Sequence, residues 1–557
     1  SDDYFGLLDD NEGEWEYRGF GFTSSERMDI GVGRFPVHNV QEAQLLLDKI
    51  VAYESPDTYG PWRGSYTFIA DDAFTGATGN RPESDLHLQN IDSVAELVRQ
   101  QLYPTLNARK IYGESYERVF LNEYRIPDAK RDILSSIENG TLIVNYSGHG
   151  GPSGLAQEEI FTKEDAAALT NGDKLPVFIT ATCSFGWWDI DDFESGAETL
   201  LLNPNGGAVA MLTTVRLVYT SSDTSSLNPG LNRALNTELF RSDAAGLPVR
   251  LGDAMVGTKN TSVGLLGNSR KFNLLGDPSM RLGIPAREAV VDRLNGVDVS
   301  TSVGALPALE RVTVEGAVRM PGGSVDESFD GRVDVSVFDA EREVPIQFRA
   351  FMPTPYYLVR EDLIWRGSVR AENGRFQATF VVPKDISYSN RAGRIFTYAT
   401  AADGHAMGFT ENVIVGGTST NPPDDAVGPQ ISLFLNDTTF VSGSLTHPDP
   451  SLIVKLYDES GINTVGAGVG HELLLVVNED EGAAIDISSA FEADENSYQR
   501  GTVEWALTSL DAGPGTVSVR AWDVLNNSAS ESLEFFVAET EDLVIRNVYN
   551  YPNPTSG

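Results

Sequence analysis

The stretches TLIVNYSGHGG (residues 141–151) and LPVFITATCSFGWW (residues 175–188) decide how this chain folds. Each is an almost unbroken apolar run that stops abruptly in small and polar residues. Continuous apolar runs belong to strands covered on both faces, the mark of a parallel sheet. Two more runs read the same way, YTFIA (66–70) and AVAMLT (208–213). Amphipathic stretches of helical length lie between them: VQEAQLLLDKIVAYE, IDSVAELVRQQL, AKRDILSSIENG and LNRALNTELF. Strands alternating with helices predict an α/β catalytic domain with a mainly parallel sheet over residues 1–285.

Beyond residue 285 the pattern changes to short alternating strands broken by Gly, Pro, Asn and Asp turns, which predicts all-β, immunoglobulin-like sandwich domains at 286–417 and 430–540. The segment GGTSTNPPDDAVGPQ (416–430) concentrates small residues, prolines and acids, and predicts a linker over 418–429. Residues 541–557, ending in NYPNPTSG, read as the start of a further C-terminal β-domain that is cut short. A length of 557 residues fits three to four domains at about 150 residues each.

Acidic residues number 80 and basic ones 41, a formal charge of −39. Such a surface repels phosphate backbones and excludes nucleic acid as a partner. With 41% hydrophobic residues the chain is too apolar for disorder. Only nine of the basic residues are lysines, and with the abundant aspartate this suits a salt-rich habitat. No run of 18 apolar residues predicts a spanning helix. The polar start SDDYFGLLDD carries no export signal, so in an exported protein the signal has been removed or lies outside the chain.

The chemistry concentrates at two strand ends. His149 follows one apolar run and Cys183 another, 34 residues later. Carboxyl ends of parallel strands share one sheet edge, so both side chains are expected in the crevice where α/β enzymes keep their sites. The helical stretch around 161–169 is the crossover such neighbours require. A thiol is only slightly ionised at neutral pH, and a histidine in reach activates it and returns the proton to a leaving amine. Glycines 148, 150 and 151 let backbone amides approach a substrate carbonyl, and the amides of Gly150 and Cys183 are the candidate oxyanion hole. A lone cysteine is most often a small buried hydrophobe. Here its polar, aromatic turn and the glycine-flanked histidine at the preceding strand end favour catalysis.

A carboxylate that orients the imidazole is expected from Asp71 or Asp72, which end the run YTFIA on the same edge; such a pair equally suits a solvated loop or a calcium ion. Glu158, Glu159 and Asp189 are weaker choices that could shape a substrate pocket. The one cysteine excludes disulfides and multi-thiolate metal sites. His38, His87, His405, His447 and His471 show no ligand spacing and read as structural or exposed. No cofactor is required; structural calcium is possible in acid-rich loops such as DIDDFES (189–195) or NPPDD, although none has EF-hand spacing.

SGHGG, TATCSFG, GGAVAMLTTVR and NLLGDPSMRL together resemble the gingipain-type cysteine peptidases, whose caspase-like α/β fold carries His-Gly and Cys at adjacent strand ends. MDIGVGRFPV (28–37), FIADDAF (68–74), VNYSGHGG (144–151), Glu159 with its neighbours and TATCSFGWWDIDDFESGAETLL (180–201) are similar to the sortase branch that serves the type IX secretion system. The likeness is dense over 1–285, looser at SGINTVGAGVGHELLL (460–475), and VYNYPNP (548–554) resembles the start of a secretion-system C-terminal domain. The resemblance implies an exported, outer-membrane-associated enzyme at the surface of a Bacteroidota-like bacterium. Such an enzyme removes the C-terminal sorting domain of cargo proteins and joins them to anionic lipopolysaccharide, working with outer-membrane components such as PorV. It also implies Cys183 as nucleophile, His149 as general acid/base, Gly150 and Cys183 amides as oxyanion donors, and Asp71 or Asp72 as the acid behind the histidine. Two other readings stand beside it: a secreted endopeptidase that only hydrolyses, and a non-catalytic surface adhesin that binds through its β-sandwiches.

Overall fold

In the computed structural model the apolar runs become the middle of a six-stranded sheet. The strands are β1 (Ser65–Ala70), β2 (Asn107–Tyr112), β3 (Ile143–Ser147), β4 (Val177–Ala181), β5 (Ala210–Thr214) and β6 (Phe272–Leu275). The structure describes all residues except 11, 14–16, 19–20, 23–25, 76–80, 191, 262, 264–266, 464–470 and 539–557. The expected start of a further domain at 541–557 therefore lies outside the described residues, as does much of 460–475.

The sheet order is β6-β5-β4-β3-β1-β2, parallel throughout except for the antiparallel edge β6. Strands added after β1 grow first to one side and then to the other, so the order reverses between β1 and β3. A crevice opens at the carboxyl ends of strands at such a switch point. Side chains alternate between two apolar layers, as the pleat requires. Tyr66, Phe68, Val177, Ile179 and Leu212 face one core with α2 (Leu86–Leu97), α6 (Leu227–Leu239) and α7 (Leu251–Lys259). Ile69, Val144, Phe178 and Met211 face the other with α3 (Pro127–Asn139) and α5 (Gly196–Leu202). The expected crossover before β4 is α4 (Lys163–Ala168), started by a capping box of Thr162 and Asp165. α1 (Val40–Glu54) spans the whole stretch VQEAQLLLDKIVAYE.

From Glu288 onward the chain is strand and turn. Three sheets built from residues 288–418 pack on one core around Val312, Val333 and Phe380. Two sheets from 430–537 pack on another around Leu435, Val503 and Val519. The first of these β units is bolted to the α/β unit. Its Phe396, Tyr398 and Met407 belong to the α/β core, and the buried Arg394 donates to the carbonyls of Pro104 (2.7 Å) and Thr105 (2.8 Å). The acid-rich segment before the last unit brings Asp425 to Asp458 and Asp523, their nearest carboxylate oxygens within 4.8 Å of one another. No helix among the described residues is long and apolar enough to cross a membrane.

Candidate active site

β3 and β4 are neighbours in register, Ser147 opposite Ala181. His149 and Cys183 each stand two residues beyond that pair, at the same height on the carboxyl edge. The loops that carry them touch: a Cβ on Gly150 would lie 2.7 Å from Oγ1 of Thr182, the residue before Cys183. The two amides expected to stabilise an oxyanion thus belong to adjoining loops.

The main chain of His149 is held from both sides. Its N–H donates to Asp71 Oδ2 (2.7 Å), and its carbonyl accepts from the buried Tyr146 hydroxyl (2.6 Å). Gly148 fits between these anchors only because it lacks a side chain, since a Cβ would meet the Tyr146 oxygen at 2.2 Å and the Asp71 Cβ at 2.5 Å. The imidazole Nε2 lies 2.8 Å from Glu83 Oε2. Glu83 is delivered by the short hairpin Phe74–Thr75/Arg81–Pro82, which folds back so that its own N–H donates to Ala73 O (2.8 Å). His87, four residues on and the second residue of α2, sets its ring edge-on to His149 with centroids 5.0 Å apart.

The expectation that Asp71 or Asp72 orients the imidazole is corrected here. Asp71 follows Ala70, which pairs with Ser147, so its carboxylate reaches the backbone of the His149 loop, accepting also from the Asp72 N–H (2.9 Å). Asp72 points to Arg118 Nε (2.8 Å), whose Nη2 also meets Glu158 Oε1 (3.1 Å). Glu159 is exposed and pairs with Arg125, and Asp189 forms a two-pronged pair with Arg216 (2.7 and 2.6 Å). Sequence reasoning missed Glu83, and it set His87 aside as structural. Glu83 precedes the helix that carries His87, so no helical periodicity signalled it.

Cys183 is half-buried and free, and its thiol points to Val218 O at 3.6 Å. The loop that supplies this carbonyl is pinned: Lys271 Nζ donates to Leu217 O (2.8 Å), and Asn268 bonds both the N–H (3.1 Å) and the carbonyl (2.6 Å) of Tyr219. Charge is graded across the site. The bond to Glu83 raises His149 above the usual imidazole range, against the opposing effect of burial, and lowers Glu83. Burial pushes Asp71 and Glu158 up, and Asp72 to about 7. Burial also drives His87 down to about 4. The site therefore holds one basic imidazole and one that stays neutral.

Among solved structures, the chain is similar to dimeric latent PorU from Porphyromonas gingivalis, with 24% identity and a TM-score of 0.33. That match covers 97% of this chain and 43% of PorU, so the chain spans less than half the length of that relative. It is also similar to the Arg-specific cysteine proteinase gingipain R, with 16% identity, a TM-score of 0.37, and 70% of this chain and 76% of that one covered. No curated protein matches. The model of peptidase family C25 matches residues 1–283, slightly more than half of the sequence and the part that holds His149, Cys183, Glu83 and Asp71; the chain belongs to peptidase family C25.

Proposed function

We propose that this chain is a cysteine peptidase in which Cys183, His149 and Glu83 form the reacting constellation. The observation that supports the reading is the register Ser147–Ala181, two residues before His149 and Cys183 on adjacent parallel strands, with Glu83 2.8 Å from the imidazole. Glu83 holds the proton on Nε2, which leaves Nδ1 as the nitrogen that takes and returns a proton. The Cys183 sulfur attacks the scissile carbonyl carbon, a C–S bond forms, and the oxyanion is met by the amides of Gly150 and Cys183. The C–N bond then breaks, and the departing amine takes its proton from the His149 imidazolium. The thioester is resolved by water or by a second amine, which restores the thiol.

We infer further that the natural course is transpeptidation at the cell surface. The substrates are exported proteins with a C-terminal sorting domain, the acceptor is an amine on anionic lipopolysaccharide, and outer-membrane secretion components such as PorV assist. This reading is supported by the segments MDIGVGRFPV and TATCSFGWWD, which fit the sortase branch better than the digestive peptidases. Mass spectrometry of a cargo protein after incubation with this chain and a short glycyl peptide tests it. A product joined to the peptide and lost in Cys183→Ala supports the sortase; a product cut and never joined supports hydrolysis. No thiol-dependent cleavage of any peptide overturns the peptidase reading and favours the adhesin.

A further inference from the structure

Beside the histidine of the reacting group lies a second imidazole that the reaction leaves unused. His87 stands at the start of α2, is 4% exposed, and its Nε2 has no hydrogen-bond partner. Glu83 Oε2, from the segment before the helix, is 3.9 Å away, beyond hydrogen-bond reach. Leaving a buried acceptor or donor unsatisfied is costly, so such a nitrogen calls for an occupant. Asp71, His87 and His149 each offer one ligand atom, and the three atoms lie within 4.8 Å of one another.

We propose that Asp71, His87 and His149 form a binding site for a divalent transition ion, zinc above all, whose binding withdraws His149 from catalysis. Imidazole nitrogen and carboxylate oxygen hold zinc at about 2.0–2.2 Å, which puts tetrahedral ligand atoms roughly 3.4 Å apart. The three atoms, within 4.8 Å of one another, draw together to that spacing around the ion. Two imidazoles in the set select zinc, copper or nickel over calcium and magnesium, which take oxygen ligands. The corner also attracts a cation: Asp71, Asp72, Glu83 and Glu158 gather there, with Arg118 paired to Asp72 and Glu158. His149 and Glu83 are 34% and 24% exposed and give the ion a way in from solvent.

A neutral imidazole has one nitrogen lone pair, and a metal that takes it leaves nothing to accept the thiol proton. This consequence rests on the role proposed for His149; the site itself does not. The test is cobalt(II), a coloured stand-in for zinc, titrated into the full chain and displaced by zinc to give its affinity. Cys183→Ala is expected to bind as the parent does. His87→Gln is expected to lose at least about tenfold in affinity, the loss that follows removal of even an outer partner of a metal site. His87→Cys, which restores a ligand in a small apolar side chain, is expected to recover it, and it keeps the test decisive if the glutamine variant fails to fold. Equal affinity in His87→Gln, or binding that disappears in Cys183→Ala because zinc sits on the thiol, overturns the proposal. Zinc-loaded protein that cleaves peptides at the metal-free rate would sink the role given to His149 and leave the site standing.

Discussion

Glu83→Gln isolates the charge behind the imidazole. Glutamine keeps the size and an acceptor oxygen at the 2.8 Å contact and removes the negative charge. A hydrogen bond to a charged partner contributes about 1.5–3 kcal/mol. Both side chains are partly exposed, 34% for His149 and 24% for Glu83, so solvent screening selects the lower end. About 1.5 kcal/mol is roughly tenfold in kcat/KM, since 1.36 kcal/mol is one decade. The pH dependence has a definite sign. Glu83 raises His149, so without it the imidazolium loses its proton at lower pH and becomes a free base sooner, and the acidic limb of the kcat/KM profile moves down. Stability follows by linkage. A lowered Glu83 contributes above its ordinary 4.5 and loses that as pH falls through the folded value; a raised His149 contributes below its ordinary 6.5 and loses that as pH rises. Both contributions are full between those values, so the Tm gap between parent and variant is widest there and narrows on either side. Steady-state cleavage of a fluorogenic peptide over pH, with melting curves in the same buffers, reads both quantities. A variant within about twofold of the parent and with an unmoved acidic limb would refute the orientation of His149 by Glu83.

Cys183→Ala is expected to abolish cleavage and labelling by thiol-reactive peptides while leaving Tm nearly unchanged, because its thiol makes only a long contact to Val218 O; residual cleavage in a purified variant contradicts this. Gly148→Ala forces a Cβ to within 2.2 Å of the Tyr146 oxygen and is expected to cost about 1–3 kcal/mol of stability and most of the activity, checked by denaturant titration. With a formal charge of −39, stability is expected to rise as salt screens self-repulsion, and a Tm flat or falling from low to high sodium chloride counts against it.

The sequence announced the sheet because its inner strands are covered on both faces. LPVFIT and TLIVNY carry β4 and β3 within a residue or two, and the equal spacing of His149 and Cys183 past them follows from parallel register. Strand β2, NARKIY, was not read, because it is an edge strand whose first half is only partly buried and lacks an apolar run. β6 is four residues long and gives too short a pattern. The orienting acid was misplaced for a geometric reason. A strand-end acid beside a strand-end histidine suggests contact, yet adjacent parallel strands bring Asp71 level with the backbone of the next loop. Glu83 comes from a hairpin fold-back that no periodicity encodes.

The hairpin that delivers Glu83 is itself held by the first β unit, which ties a domain predicted to be separate to the chemistry. Phe74 packs edge-on against Phe348 at 4.8 Å, and Glu114 accepts from the Phe348 N–H. Asp85, two residues past Glu83 and 1% exposed, accepts from the amides of Ala350 (2.8 Å), Phe351 (2.9 Å) and Met352 (2.8 Å). Three amides on one buried carboxylate fix the segment between hairpin and α2 to a loop more than 260 residues away. An imidazole turned only by its own loop would be free to swing, because its backbone anchors to Asp71 and Tyr146 leave the ring torsions open. The ring is fixed by Glu83, Glu83 by the hairpin, and the hairpin by the β unit. In this chain the β unit therefore completes the orientation of the histidine, and residues 1–285 supply the reacting groups without the whole of what aims them.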